Sequence, residues 1–220
     1  MSEYVVLSQL KKKMKNYLID INCDNFKQSN FSKGLVLSLV MILEELLNDS
    51  LKHVVKNEIN GLYKISPLVI NTTINEYSKY NFIYKYLKSY NQIVKYHDSV
   101  FFNIKKVLDN LESKHGSKLM VETESKNILS YIILSIQYDL INLTVNMVKY
   151  SKKRTLSSVP LLFSIKFLIH EDISSKIELK LDSMEDKNIE VEEDKEKDTE
   201  DEEVVEIEED VDVDDELEED

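Results

Sequence analysis

The chain has 220 residues, 42% of them hydrophobic, so it is long enough for one or two small domains with a buried core. It contains 3 Gly and 2 Pro, too few for the many tight turns of a sheet protein, and this predicts an all-α fold. Its net charge is -13, and its single cysteine, Cys23, excludes an internal disulfide and a cysteine-based zinc cluster.

The charge is divided unevenly along the chain. Residues 181–220 hold 24 Asp/Glu and 3 Lys, a net charge of -21, whereas residues 1–180 hold 17 Asp/Glu and 25 Lys/Arg, a net charge of +8. This pattern predicts a mildly basic folded body and, over 184–220, a disordered acidic tail that has too few apolar residues to fold. The tail has three open interpretations: it keeps the protein soluble, it competes with DNA, or it binds basic proteins.

The sequence pattern of the first half predicts a helix of medium length, a long helix and a short helix. Apolar residues at helical spacing indicate the medium helix over 3–20, with Lys11, Lys12 and Lys13 on its exposed flank. A polar loop, 21–30, follows. The long helix is expected from Lys33 to about Lys56, capped by Ser32.

Residues that typically end or begin helices mark the last part of the first half. Gly61 lies in a segment that breaks the helical pattern and is expected to terminate the long helix. Ser66 followed by Pro67 predicts the start of a short helix that runs to Tyr77, because serine caps a helix and proline suits its first position. A further helix is expected over 80–96, either as the counterpart of the chain's C-terminal helix or as a rigid connector between the halves.

The second half repeats this order. A helix over 101–113 ends at Gly116, and a polar loop leads to a helix of about 28 residues capped by Ser125. A basic turn, 152–155, follows it, and then Ser157 and Ser158 are candidate caps of a shorter helix over 159–169. The Ser-Lys pairs at 32 and 125 are 93 residues apart, which indicates a degenerate tandem repeat.

Neither secretion nor catalysis is indicated. The first residues place their charges after their apolar residues, unlike a signal peptide, and the longest apolar run, 34–43, is too short to span a bilayer. The four histidines are scattered, with no zinc-protease, paired-cysteine or phosphate-binding glycine motif. We therefore expect an intracellular, soluble protein that is not an enzyme and uses no cofactor or metal.

The second half also resembles a known family. Ser125-Lys126, then a long helix, then the sequence KRTLSS, resembles the central helix and second DNA-binding loop of core histone 2B. The sequel up to Ser183 resembles the third helix and the C-terminal helix of that histone. The whole chain is similar to the fused histone doublets encoded by some large DNA viruses.

The resemblance implies two tandem histone folds. The first would cover 1–78, a helical connector 79–98 and the second fold 99–183, before the tail at 184–220. Two such folds pair head to tail, so that the first loop of each lies beside the second loop of the other. The family binds double-stranded DNA and other histones, in the nucleus or in a viral replication compartment or virion, and uses these loops to contact phosphates without reading bases.

The residues of this chain in matching positions are mostly lysines, which give phosphate charge without bidentate geometry, and Arg154 is the candidate for insertion into the minor groove. The predicted DNA-binding set is Lys11, Lys12, Lys13, Lys33, Lys64, Lys118, Lys126, Lys152, Lys153, Arg154 and Thr155. Alternatively, Lys152, Lys153 and Arg154 are simply cations at a helix C-terminus, where they interact favourably with the helix dipole. Two alternative functions are an acidic-tailed histone-fold subunit of a replication, remodelling or transcription complex, and a histone chaperone.

Overall fold

The helices and short strands of the chain follow one another in a repeated order. The computed structural model describes residues 15, 18, 19, 26–28, 30–54, 62–90 and 104–196. The elements are β1 (Lys27–Gln28), α1 (Phe31–Leu51), β2 (Leu62–Ile65), α2 (Pro67–Glu76), a 3₁₀ turn (Ser78–Tyr80), α3 (Asn81–Tyr90), α4 (Ile104–His115), β3 (Lys118–Val121), α5 (Thr123–Tyr150), β4 (Thr155–Leu156), α6 (Ser158–Leu168) and α7 (Glu171–Glu196). The described residues are mostly helical, which confirms the all-α class.

Two short parallel strand pairs join the halves reciprocally. β1, which precedes the long helix α1, pairs with β4, which follows the long helix α5. β3, which precedes α5, pairs with β2, which follows α1. Each half thus contributes the segment before its long helix to one pair and the segment after it to the other.

The two long helices contact each other and supply most of the core. Both helices place fully buried residues in this core: Leu35, Ile42 and Leu47 of α1, and Ile132 and Leu140 of α5. By length and composition α5 is the one described helix that could cross a membrane, but 67% of its most apolar 18-residue window is buried by the rest of the protein. The core helix of a folded domain can be equally long and apolar, and such a helix is buried by its own chain.

A further helix from each half is tied to the long helix of the other half. Lys85 of α3 donates to Asp139 of α5 (2.6 Å). Lys176 of α7 donates to Glu45 of α1 (2.8 Å). Lys85 and Lys176 are 91 residues apart, the same spacing as Ser66 and Ser157, so these two lysines occupy equivalent places in the repeat.

Gly34 shows how closely α1, α6 and α7 approach one another. A Cβ at this position would lie 3.1 Å from Leu161 Cδ2 of α6 and 3.2 Å from Leu181 Cδ2 of α7. Both leucines are buried. The absence of a side chain at Gly34 therefore allows two helices of the second half to pack against the start of α1.

Several predicted boundaries are confirmed and others are wrong. Ser66 caps α2, because its Oγ accepts from the Val69 N–H (3.4 Å), and Gly116, at φ 62°, ends α4. The long helix of the first half ends at Leu51, five residues before the predicted Lys56. Gly61, most of the predicted helix over 3–20 and residues 91–96 of the connector lie outside the described residues.

The predicted serine caps of the long helices are corrected. α1 begins at Phe31 with Asn30 at the cap position, and Ser32 is buried inside its first turn. α5 begins at Thr123, and the Ser125 Oγ donates to the carbonyl of Ile65 in β2 (3.1 Å). Tertiary hydrogen bonding therefore uses a hydroxyl that local pattern assigned to capping. Ser157 does occupy the cap position of α6, but its side chain makes no capping hydrogen bond.

Helix α7 extends into the segment for which a disordered acidic tail is predicted. α7 runs from Glu171 to Glu196, so residues 184–196 are helical, whereas disorder was expected from 184. This segment lacks Gly and Pro and is rich in Glu and Lys, which have high helix propensity. Residues 197–220 lie outside the described part of the chain.

A buried carboxylate organises the junction between α1 and the 3₁₀ turn. Asp49 is 3% exposed and accepts hydrogen bonds from Lys52 Nζ (2.6 Å) and Tyr80 Oη (2.8 Å). Lys79 Nζ bridges Asp49 and Glu45. Burial by itself would raise the pKa of Asp49, but the hydrogen bonds from Lys52, Lys79 and Tyr80 outweigh it and lower that pKa below its ordinary value.

We predict that Asp49→Asn lowers the free energy of unfolding by about 2 kcal/mol at pH 7, because it removes charge-assisted hydrogen bonds from two lysines. A carboxyl whose pKa is lower in the folded state stabilises above its unfolded pKa, near 3.9, and loses this effect as pH falls through the folded value. The difference between wild type and variant should therefore shrink in that acidic range. Urea unfolding at a series of pH values measures it.

Asp109→Asn is the matched control, because Asp109 lies on α4 and is exposed. That variant should unfold within about 0.5 kcal/mol of wild type. Equal, small effects of the two substitutions would show that the Asp49 network does not stabilise the fold.

Candidate nucleic-acid interface

The reciprocal strand pairs create two comparable loop regions. We call residues 26–28, 30–33 and 149–158 the β1–β4 end, and residues 62–66 and 117–126 the β2–β3 end. Each contains one parallel strand pair, the N-termini of two helices and, in its vicinity, the C-terminus of a long helix. Backbone amides at helix N-termini and neighbouring cations are the groups that bind phosphate.

The structure brings five of the predicted residues to the β1–β4 end. Lys33 is exposed in the first turn of α1, and Lys152, Lys153, Arg154 and Thr155 are exposed between α5 and α6. Thr155 pairs in register with Lys27. Within the part of the chain that the structure describes, none of Lys33, Lys152, Lys153 and Arg154 has a carboxylate within ion-pair distance.

Lys27 was missed by the sequence reasoning, which read 21–30 as a polar loop. A two-residue strand has no periodicity of its own, so only its pairing with Thr155 places Lys27 beside the basic turn. The one available signal was the repeat itself, since a residue shortly before the first long helix corresponds to the loop around Lys118.

Three other predicted residues meet at the β2–β3 end. Lys64 of β2, Lys118 of β3 and Lys126 in the first turn of α5 are all exposed. Lys64 Nζ lies 2.6 Å from Glu122 Oε1. The remaining predicted residues, Lys11, Lys12 and Lys13, lie outside the described residues.

The backbone at Lys152 is unusual for a residue with a side chain. Its φ is 56°, the left-handed conformation that glycine normally supplies after a helix. The Lys152 N–H donates to the Lys149 carbonyl (3.0 Å) and the Lys153 N–H to the Val148 carbonyl (3.1 Å), which are the two bonds of a Schellman motif. The end of α5 therefore carries a lysine at the position where glycine would be less strained.

A cavity of about 450 Å³ lies elsewhere, beside the Asp49 network. Glu45, Asn48, Asp49, Tyr63 and His115 are among its lining residues. Its two carboxylates already accept hydrogen bonds from lysines, and His115 Nε2 lies 2.9 Å from Asn48 Oδ1. No group of three or more His, Cys, Asp or Glu among the described residues could hold a metal ion.

Comparison with known proteins adds no family assignment. No protein-family model matches the sequence, and no curated protein is detectably similar to it. Functional inference therefore depends on the geometry and charge of the chain itself.

We predict that Lys152→Gly raises the free energy of unfolding by about 1 kcal/mol, because glycine adopts the left-handed conformation without steric conflict. The same change removes a cation from the β1–β4 end and should weaken binding to a polyanion. Urea unfolding measures the first effect, and heparin affinity measures the second.

Lys153→Gly is the matched control for stability. Lys153 has an ordinary φ, so glycine there should lower or leave unchanged the free energy of unfolding. If both glycine variants change stability in the same direction and by the same amount, the strain assigned to Lys152 is absent.

Proposed function

We propose that the chain is a histone-like protein whose two halves are paired histone folds, and that it binds double-stranded DNA through its loop ends without sequence specificity. The reciprocal pairing of β1 with β4 and of β2 with β3 carries this proposal. A helix order of short, long and short elements is common in helical proteins. Crossed pairing of the segments that flank two long helices is much more restrictive.

The chemistry of the β1–β4 end supports the same function. Its exposed cations stand beside the N-termini of α1 and α6, whose first turns contain no acidic residue. Such a surface offers charge and backbone N–H groups to phosphates. Most of its cations are lysines, which contact phosphates without reading bases, and Arg154 is the only arginine in the sequence.

The packing between the halves also supports a pair within one chain. Each long helix is covered by helices from both halves, and the ion pairs Lys85–Asp139 and Lys176–Glu45 connect each half to the other. A single chain therefore supplies both members of the pair.

The purified full chain should bind two unrelated 20-base-pair duplexes with affinities within about threefold of each other. Because phosphate contacts release counterions, log K should fall with log salt concentration with a slope of about -0.9 per contact, or about -3 to -5 in total. Fluorescence anisotropy over a salt series measures this. Absence of binding at low salt, or strong preference for one duplex, would contradict the proposal.

One feature favours a second candidate, a histone-fold subunit of a larger complex. Val159, Phe163 and Phe167 follow one another at four-residue spacing on α6 and are 58%, 60% and 76% exposed. A contiguous apolar stripe of this kind is typical of a protein-binding surface. In that case the purified chain should bind DNA weakly and associate through α6, which sedimentation of wild type and a Phe163→Glu variant would detect.

A further inference from the structure

The two strand-pair ends have the same architecture but very different charge. The β1–β4 end contains five lysines and one arginine (residues 27, 33, 149, 152, 153 and 154) and no Asp or Glu, a net charge of +6. The β2–β3 end contains three lysines (residues 64, 118 and 126) and two glutamates (residues 122 and 124), a net charge of +1.

The β2–β3 end carries two carboxylates at the N-terminus of α5. Glu122 occupies the N-terminal cap position of α5, and its carboxylate pairs with Lys64. Glu124 lies in the first turn of the same helix, where its carboxylate accepts from Tyr90 Oη (2.7 Å). Burial and this hydrogen bond raise the pKa of Tyr90 to about 12, so the tyrosine keeps its proton and donates to the charged glutamate.

The helix N-termini of this end are also already compensated. Ser66 Oγ accepts a hydrogen bond from the Val69 N–H of α2. The negative charges of the two glutamates interact favourably with the positive N-terminal end of the α5 dipole. At the β1–β4 end neither Asn30 nor Ser157 makes a side-chain capping bond, and the first turns of α1 and α6 hold no acid. The exposed cations there, Lys33, Lys152, Lys153 and Arg154, also have no carboxylate partner among the described residues.

We propose that, of these two ends, only the β1–β4 end holds DNA phosphates, and that the β2–β3 end is kept from doing so by Glu122 and Glu124. This inference rests on the proposed DNA binding. The two strand-pair ends therefore share an arrangement of strands and helices but differ in DNA binding. A chain that contacts the duplex at one strand-pair end coats DNA without bending it, because bending a duplex along a protein surface requires contacts at separated points.

Two matched triple variants of the full chain test the inference. Lys152→Gln, Lys153→Gln and Arg154→Gln together remove three charges from the β1–β4 end, and Lys64→Gln, Lys118→Gln and Lys126→Gln remove three from the β2–β3 end. The first variant should lower affinity for a 20-base-pair duplex at least about tenfold and reduce the salt slope by about 2 to 3. The second should stay within about twofold of wild type, with an unchanged slope.

A gain-of-binding variant tests the role assigned to the glutamates. Glu122→Gln with Glu124→Gln changes the β2–β3 end from +1 to +3. On a longer duplex it should tighten binding and steepen the salt slope by about 1 to 2, as new phosphate contacts form. Circular dichroism and urea unfolding of every variant check that a loss of binding is not a loss of fold.

The outcomes separate the inference from the function on which it rests. If wild type shows no salt-dependent DNA binding, the proposed function is wrong. If wild type binds and the two triple variants weaken it equally, the function stands and the one-sided surface is wrong. An unchanged salt slope in the glutamate variant would also overturn the role given to Glu122 and Glu124.

Discussion

The structure depends on the mutual burial of two long helices that neither half can cover alone. α1 and α5 are apolar around much of their circumference, and each places fully buried residues, such as Leu43 and Ile136, in the shared core. A fully buried Leu or Ile contributes roughly 1.5–3 kcal/mol by removal from water, so an unpaired half would expose a large part of its stabilising surface. The two halves therefore bury these helices together, and each strand pair joins the segment before one long helix to the segment after the other.

The two halves share the order of helices and strands, but they differ in several of their buried polar contacts. Lys85 and Lys176 occupy equivalent places, and so do Ser66 and Ser157. Glu45, however, also accepts from Lys79, and the buried Asp49 lies one turn further along α1. Thr144, near the corresponding part of α5, instead donates to Ser164 of α6 (2.9 Å). A framework set by burial tolerates such replacement, since each half only has to satisfy its own buried polar groups.

Sequence reasoning succeeded where the determinant is local. Ser66-Pro67 and Gly116 mark helix ends because serine, proline and glycine have intrinsic backbone and hydrogen-bonding preferences. It failed at Ser125, whose hydroxyl bonds to Ile65 sixty residues away, and at β1, whose two residues are strand only through pairing with β4. Which cations meet at one end, and that Glu122 reaches Lys64, are likewise consequences of the fold that no window of sequence contains.

The charge at the β1–β4 end has a physical consequence for the free protein. Two unit charges 4 Å apart in water repel by only about 1 kcal/mol, and salt screens them further, so exposed lysines can be grouped at small cost to stability. The left-handed Lys152 adds a separate backbone strain of about 1 kcal/mol or more. No carboxylate among the described residues pairs with Lys33, Lys152, Lys153 or Arg154, whereas the lysines at the other end are accompanied by Glu122 and Glu124. Folding alone gives no reason for this difference, because the compensated arrangement satisfies the same framework. Under the proposed function, DNA phosphates would convert the repulsion among these cations into favourable contacts.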